Sequence, residues 1–357
     1  MAAVLVSPRF RLSLEVVLKT LAVAACYYVA GRLGLLGRLT VEGVIVTPIW
    51  PPTGFAVAAL LVYGLSVWPG IAIGSLLVIA SLTTPQLTAL VTVAGNTIAP
   101  LCAYLMLRGV GFRVGISRVR DGIALVFLGG LGAMLISATA GVGPQLVTGG
   151  LGTGQFWFVW LAWWVGDAMG VLLVTPILLV LAGAAGPLRL RRWKEMLCLG
   201  LAAMIVVPWA VLGELSLLFL VFPLLIWAAL RFQLAGSMLC ALFASVLTTF
   251  EANRQQGAFL HLSAIEVMTK LQAFNGAAAL TALLLSSMVA EQRATRRSVE
   301  SACRELAEVL EHLAAGESPP ELSDRHTDGL QHVQRSVVAG PEGPVRPPPR
   351  SDPGGRA

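Results

Sequence analysis

Charge is scarce in this sequence. Asp, Glu, Lys and Arg together supply 12% of its 357 residues while hydrophobic residues supply 56%, where ordinary soluble domains carry about 25% charge. That balance excludes a soluble globular chain and leaves a polytopic membrane protein. Metal chemistry has no foothold either. The five cysteines, Cys26, Cys102, Cys198, Cys240 and Cys303, stand far apart, four of them inside apolar runs, and the four histidines, His261, His312, His326 and His332, are scattered. Neither set has the spacing of a metal or haem site, and a free Cys in an apolar run is commonly just a small hydrophobe. No Ser/His/Asp or Cys/His grouping suggests a catalytic set, so the chain offers no catalytic residue and no cofactor site, and an enzyme is not expected. The Gly-rich runs LGGLGA (residues 128–133) and GGLGTG (149–154) lack the strand and helix context of a nucleotide-binding loop. The first reads as close helix packing and the second as an outer loop. A formal net charge of +6 could suit nucleic acid, but the basic residues fall in short loops between apolar runs, as membrane topology requires. The expected partner is the lipid bilayer, with no nucleic acid.

Long apolar runs are what the chain does have. Ten can be drawn, at about 14–36, 53–65, 69–82, 86–107, 122–147, 155–181, 196–212, 215–230, 234–250 and 264–290. A spanning helix needs ~20 apolar residues, so the second and third are marginal and could form a re-entrant hairpin instead of two spans. The fold expected is all-α, a polytopic membrane helical bundle of 8–10 spans. Arg9, Arg11 and Lys19 ahead of the first run resemble a signal-peptide start, but the apolar run continues to Leu36 and reads as an uncleaved first span. With the N-terminus inside, twelve basic residues fall on inner segments: those three, then Arg108, Arg113, Arg118, Arg120, Arg189, Arg191, Arg192, Lys194 and Arg231. Arg32, Arg38, Arg254 and Lys270 fall outside, and this positive-inside bias puts both termini in the cytoplasm.

The run QFWFVWLAWWVGDAMGVLLVTPILLVL at 155–181 carries one carboxylate, Asp167, near its middle. A charge at that depth costs about 2.5–3.5 kcal/mol even on the lenient insertion scale, so it is expected to face a protein or water-filled interior. Helical spacing crowds Trp160, Trp163, Trp164, Asp167 and Gly170 toward one side. Ala162, Gly166 and Gly170 form a small-residue ridge that would admit another helix closely. In TPIWPPTGFAVAALL (47–61), two prolines after Trp50 stop a helix from starting before Thr53, and Gly54 adds freedom. Trp50 and Pro51 could line a ligand site, or mark an ordinary span boundary at the headgroup level. Asn96 lies mid-span and wants partners; Asp167 is the natural candidate, and a purely structural bond across helices is the other reading. Arg231 reads by default as a snorkelling anchor.

After Ala290 the character changes. Val299, Cys303, Leu306, Leu310 and Leu313 fall at spacings of four and three, an a/d seam over two heptads, with Glu300 and Arg304 as a favourable i,i+4 pair. The seam could pair two copies as a homodimer or merely continue the last span into water. Gly316, Pro319 and Pro320 end the helix, and 317–357, rich in Pro, Gly and charge, is expected to be disordered, with a short amphipathic turn around Leu330, Val333 and Val337 as the one exception. The expected domains are therefore a membrane domain at 10–297, a cytoplasmic helix at 298–316 and the tail.

Several stretches, in order, resemble a known family. WPPTGFAVAALL from Trp50, GNT from Gly95, WLAWWVGDAMGVLLVTPILL from Trp160, FPLLIWAALRFQLAG from Phe222 and LQAFNGAAALTALLLSSMVAEQRATRR from Leu271 resemble the first type of membrane-associated sensor domain, the MASE family. The resemblance covers about residues 10–297, and its most specific piece is the WWxGDxxG string followed by Pro176. It implies a sensory input module in the cytoplasmic (inner) membrane of a bacterium, of the kind found upstream of histidine kinases, diguanylate cyclases or phosphodiesterases. The pattern positions it implies are Trp50, Pro51, Gly54, Asn96, Trp164, Gly166, Asp167, Gly170, Pro176 and Arg231. No GGDEF, EAL or phosphoacceptor His box follows the last span, and the expectation is a sensor acting through a separate cytoplasmic partner, a kinase, cyclase or response regulator. A small-solute transporter or permease shares the broken helices and buried acid, although no inverted repeat is visible. A structural or assembly protein of the membrane is the third class.

Overall fold

The computed structural model describes residues 8–41, 43–82, 86–183, 193–213 and 217–314. The chain divides into two compact units, Met1–Arg293 and Ala294–Ala357. The tail expected at 317–357, its turn at Leu330, Val333 and Val337, and the basic residues Arg189, Arg191 and Arg192 lie outside the described residues.

In the first unit nearly every apolar run is a helix, the form that satisfies its own backbone groups where water is absent. The elements are α1 (Pro8–Gly34), a hairpin of β1 (Leu39–Val41) and β2 (Val44–Val46), α2 (Pro51–Tyr63), α3 (Trp68–Ala80), α4 (Leu87–Gly109), α5 (Val119–Ala124), α6 (Ala133–Val147), α7 (Thr153–Gly183), α8 (Trp193–Leu212), α9 (Val221–Asn253) and the start of α10 (Ala264–Ala314). A π-helical stretch, Leu125–Gly132, joins α5 to α6 and contains the Gly-rich run. Among the described residues seven helices are long and apolar enough to cross a membrane. Prolines sit in the first turns of α2 and α3, where their missing N–H costs nothing.

Contacts fix the direction of each pass. Along α1 and α3, Gly70 meets Thr20 and Val23, Gly74 meets Ala24 and Tyr27, and Val78 meets Gly31, so these two helices run parallel. Between them α2 runs the other way: Pro51 sits against Gly34 and the Tyr63 ring lies under the Lys19 ammonium. At 13 residues each, α2 and α3 extend about 20 Å, short of the ~30 Å hydrocarbon core. They form a helical hairpin from the Gly34 end of α1 to the level of Lys19, with α2 largely buried and Trp68, Ile73 and Leu77 of α3 exposed.

The element α9 is two helices. Gln233 has non-helical dihedrals (φ 56°, ψ −145°) and breaks it. Phe222 packs edge-on against Phe274 of α10, and the Leu230 carbonyl accepts from Arg293. Beyond the break the order reverses: Ser237 meets Ala282 and Ser286, and Ala252 packs with Val267 and Leu271. The two arms therefore run in opposite directions along α10, as the separate apolar runs 215–230 and 234–250 suggest. Counting each arm, ten helical passes are traced among the described residues.

Large apolar side chains such as Leu87, Ile205 and Trp209 point outward at 84%, 69% and 62% exposure, the surface a bilayer covers. Inside, Thr175, Ser237 and Thr248 are buried and donate to the backbone carbonyls of Gly54, Ala282 and Ala244; small hydroxyl residues let helices approach closely. The strand pair was not anticipated in the sequence. Its ladder pairs Leu39 with Val46, Thr40 with Ile45 and Val41 with Val44, turning at Gly43 in a positive-φ conformation (81°). Buried Val44 and Val46 pack with Val142, Val159 and Ala162.

In the second unit, Val299, Leu306 and Leu310 are 56%, 64% and 66% exposed and Cys303 is exposed. Glu300 pairs with Arg296 at 2.8 Å rather than with Arg304 as the sequence suggested. A helical carboxylate has i−4 and i+4 neighbours alike, and sequence spacing does not choose between them. The side chain of Leu313 lies outside the described residues.

Candidate functional site

The site is built where α7 passes the start of α2. Trp50 donates its backbone N–H to the Gly166 carbonyl at 2.9 Å. One turn further, Gly170 lies so close to the Trp50 carbonyl that a Cβ there would overlap it, and Gly54 faces the Gly170 carbonyl in the same way. Thr175 then donates its hydroxyl to the Gly54 carbonyl at 2.9 Å. The small-residue ridge of α7 thus receives backbone, not the ridge of another long helix: Gly166 faces the Thr47 carbonyl and Gly170 that of Trp50. Glycine is required because any Cβ would separate the two chains.

This contact delivers Thr53 to Asp167. The Thr53 hydroxyl donates to Oδ1 at 2.6 Å, and the Ser137 hydroxyl of α6 lies 2.6 Å from Oδ2. Ser137 is also 3.0 Å from Asn96 Oδ1, and Asn96 Nδ2 is 3.0 Å from the Ser75 hydroxyl. Asp167, Ser75 and Ser137 are each 1% exposed and Asn96 8%, so the chain of polar groups from α7 through α6 and α4 to α3 is buried within the bundle. Asn96 does not bond Asp167 directly. The intervening group is Ser137, which the sequence reading missed, along with Thr53 and Ser75. Their signal was faint: lone hydroxyls beside Gly or Ala in apolar runs.

Proton counting gives the network two complete states. A serine hydroxyl has one proton, and an ionised carboxylate only accepts. If Asp167 is ionised, Ser137 donates to it, and the Asn96 amide turns over to give its N–H to Ser137 and its oxygen to Ser75. If Asp167 carries a proton, it donates to Ser137, which donates to Asn96 Oδ1, and Asn96 Nδ2 donates to Ser75. The two states differ by one proton and one amide flip.

Beside the carboxylate is a cavity of about 100 Å³ whose lining residues include aromatic Tyr27, Trp50 and Trp163, polar Asn96 and Ser75, and apolar Val78. The Trp163 indole lies on Asp167 and also packs over Gly141. The other two tryptophans part company with it. Trp160 and Trp164 stack at 5.8 Å, and their indole N–H groups donate to Thr139 and the Leu131 carbonyl on α6 and the π-helical stretch. One helix side, read from spacing alone, is in fact shared between a cavity wall and a packing face.

The structure therefore brings together Trp50, Pro51, Gly54, Asn96, Trp163, Asp167 and Gly170, with Trp164 one step behind. Pro176 is buried in α7, where it leaves the Leu172 carbonyl without its helical donor. Arg231 stands apart from the cavity: its guanidinium pairs with Glu195 at the start of α8, with both side chains partly exposed. Among the described residues no group of three His, Cys, Asp or Glu side chains is placed to hold a metal ion.

The family model of MASE1 matches residues 20–293, most of the first unit and every residue of the site. The chain belongs to the MASE1 family. No curated protein and no solved structure gives a significant match. A MASE1 chain is a membrane-embedded sensory input module, and the seven helices long and apolar enough to span among the described residues accord with that. In this MASE1 chain the WWxGDxxG string has a physical reading: the Trp pair divides between cavity and packing face, the first Gly and the last hold the backbone of the α2 start, and Asp anchors the polar chain.

Proposed function

We propose that this MASE1 domain detects a ligand in the Asp167 cavity and passes the signal through α10 to a separate cytoplasmic signalling partner. The observation that carries the reading is the buried Asp167 carboxylate, bonded from α2 and α6 at once and set against a cavity bordered by α1, α3, α4 and the β hairpin. A group held this way senses the positions of several helices together. A ligand shifts an equilibrium only by its differential affinity for the two states, typically about 1–3 kcal/mol of coupling. The charge pattern supports an orientation with both termini in the cytoplasm. Arg231, beside Glu195, and Arg293, beside Leu230, gather at one end of the bundle, while Arg32 and Arg38 lie at the other, near Asn253 and Gln255.

The exposed seam of Val299, Leu306 and Leu310 is the surface offered to the partner or to a second copy. Catalysis forms no part of the proposal. The test is Asp167→Asn in the full chain, with disulfide cross-linking through Cys303 as readout. A folded variant should change the cross-linking yield, and an unchanged yield sinks the reading. Saturable solute flux in proteoliposomes would replace it with transport.

A further inference from the structure

The Asp167 carboxylate has donors on both oxygens but no cation. Among the described residues every ion pair involves other groups: Lys19 with Glu15, Arg231 with Glu195, Arg254 with Glu251 and Arg296 with Glu300. In its ionised state the carboxylate is solvated by hydroxyls, with no cation paired to it among the described residues, and it borders a cavity lined by Tyr27, Trp50 and Trp163. An ionised carboxylate among aromatic residues is the chemistry that receives an alkylammonium, through ion pairing and cation–π attraction. The space is the right size for such a group. It measures about 100 Å³, where an apolar cavity of ~150 Å³ accepts benzene.

A second observation extends the ligand. Leu35 and Leu82 line this cavity and also an open basin of about 760 Å³ that contains Arg32 and Arg38. Both arginines are exposed, and neither has an acidic partner among the described residues. Negative charge lies inside and positive charge lies at the mouth.

We propose that the site takes a small zwitterion, its ammonium end on Asp167 between Tyr27, Trp50 and Trp163 and its anionic end in the basin with Arg32 and Arg38. The proposal rests on the sensory reading of the cavity and names the class of molecule that fills it. Either a free solute or a zwitterionic lipid headgroup has this chemistry.

The experiment is calorimetric titration of the full chain in nanodiscs of phosphatidylglycerol, with phosphocholine, choline and 3,3-dimethylbutan-1-ol, the last being the neutral carbon isostere of choline. Phosphocholine should bind most tightly, choline about tenfold more weakly, and the neutral alcohol weaker by at least another factor of about ten. Asp167→Asn should weaken both ammonium probes about tenfold or more, while Arg32→Gln with Arg38→Gln should bring phosphocholine down to choline. Adding phosphatidylethanolamine to the nanodiscs assigns the source: competition points to a headgroup, and unchanged binding to a free solute. The proposal is overturned if the alcohol binds as well as choline, a comparison that needs no variant and so survives a failure of Asp167→Asn to fold. It is equally overturned if wild-type protein binds none of the three. Should that happen while Asp167→Asn still alters Cys303 cross-linking, the ligand class falls and the sensory reading stands.

Discussion

Replacing Gly170 by Ala adds one methyl at the point where α7 touches the chain entering α2. That carbon would lie 2.8 Å from the Trp50 carbonyl carbon and closer still to its oxygen. Carbon atoms pack at ~3.5–4.0 Å, so the two backbones must part by about 1 Å. No side chain can rotate away, because the obstacle is main chain on both sides: Gly54 faces the Gly170 carbonyl in turn. Parting them stretches the Trp50–Gly166 and Thr175–Gly54 hydrogen bonds and draws Thr53 off Asp167. Overpacking costs ~1–3 kcal/mol, and the loss of these bonds puts this site at the top of that range, about 3 kcal/mol. Gly200→Ala is the internal control. It sits in the exposed face of α8 with nothing near its missing Cβ, and there Ala should stabilise by about 0.5–1 kcal/mol through helix propensity. The same methyl should then give opposite signs, nearly 4 kcal/mol or about a thousandfold in the folding equilibrium apart. Reversible unfolding in mixed micelles, followed by tryptophan fluorescence, measures both. If Gly170→Ala is as stable as Gly200→Ala, the backbone contact is not what positions the site.

Three further outcomes follow from the same geometry. Ser137→Ala removes the group that joins Asp167 to Asn96 and leaves buried polar atoms unpaired, so it should cost about 1–3 kcal/mol, more than Ser287→Ala, a buried serine whose hydroxyl bonds back within its own helix to the Leu283 carbonyl; equal losses would refute the bridging role. Gln233→Gly should relieve the positive-φ break between the arms of α9 and stabilise by about 1 kcal/mol, whereas Gln233→Val should destabilise by at least as much; the unfolding midpoints decide, and a loss with Gly refutes the strain. Asn275 is fully buried in α10 with neither amide atom bonded, so Asn275→Leu should be neutral or stabilising by about 1–3 kcal/mol; a clear loss of stability would show that the amide has a partner.

Much of the membrane part was readable in advance because its signals are local. Length and apolarity marked the helices, including the short pair and the two arms that Gln233 separates, since each run is interrupted by Gly, Pro or charge. Asp167 stood out for a similar reason, as a charge with no local excuse. The hairpin at 39–46 escaped notice because three-residue strands give too little alternation to register. Ser137 and Thr53 escaped because a single hydroxyl in an apolar run costs little and so carries little signal. Arg231 matched the family pattern yet belongs to an exposed pair with Glu195, far in role from the cavity.

The sequence by itself determined that this chain lives in a bilayer, roughly where its apolar helices lie, and that Asp167 must face an interior; α2 nevertheless starts at Pro51, ahead of the Thr53 that the prolines suggested. Those conclusions follow from the cost of exposing polar groups to hydrocarbon, which acts on each segment independently. Only the tertiary structure decided what the interior contains. Which hydroxyl meets which carboxylate oxygen, which tryptophan faces the cavity, and why Gly170 must be glycine depend on the crossing of α7 with the start of α2. That crossing is set by backbone contact between residues more than a hundred positions apart, and no local pattern records it.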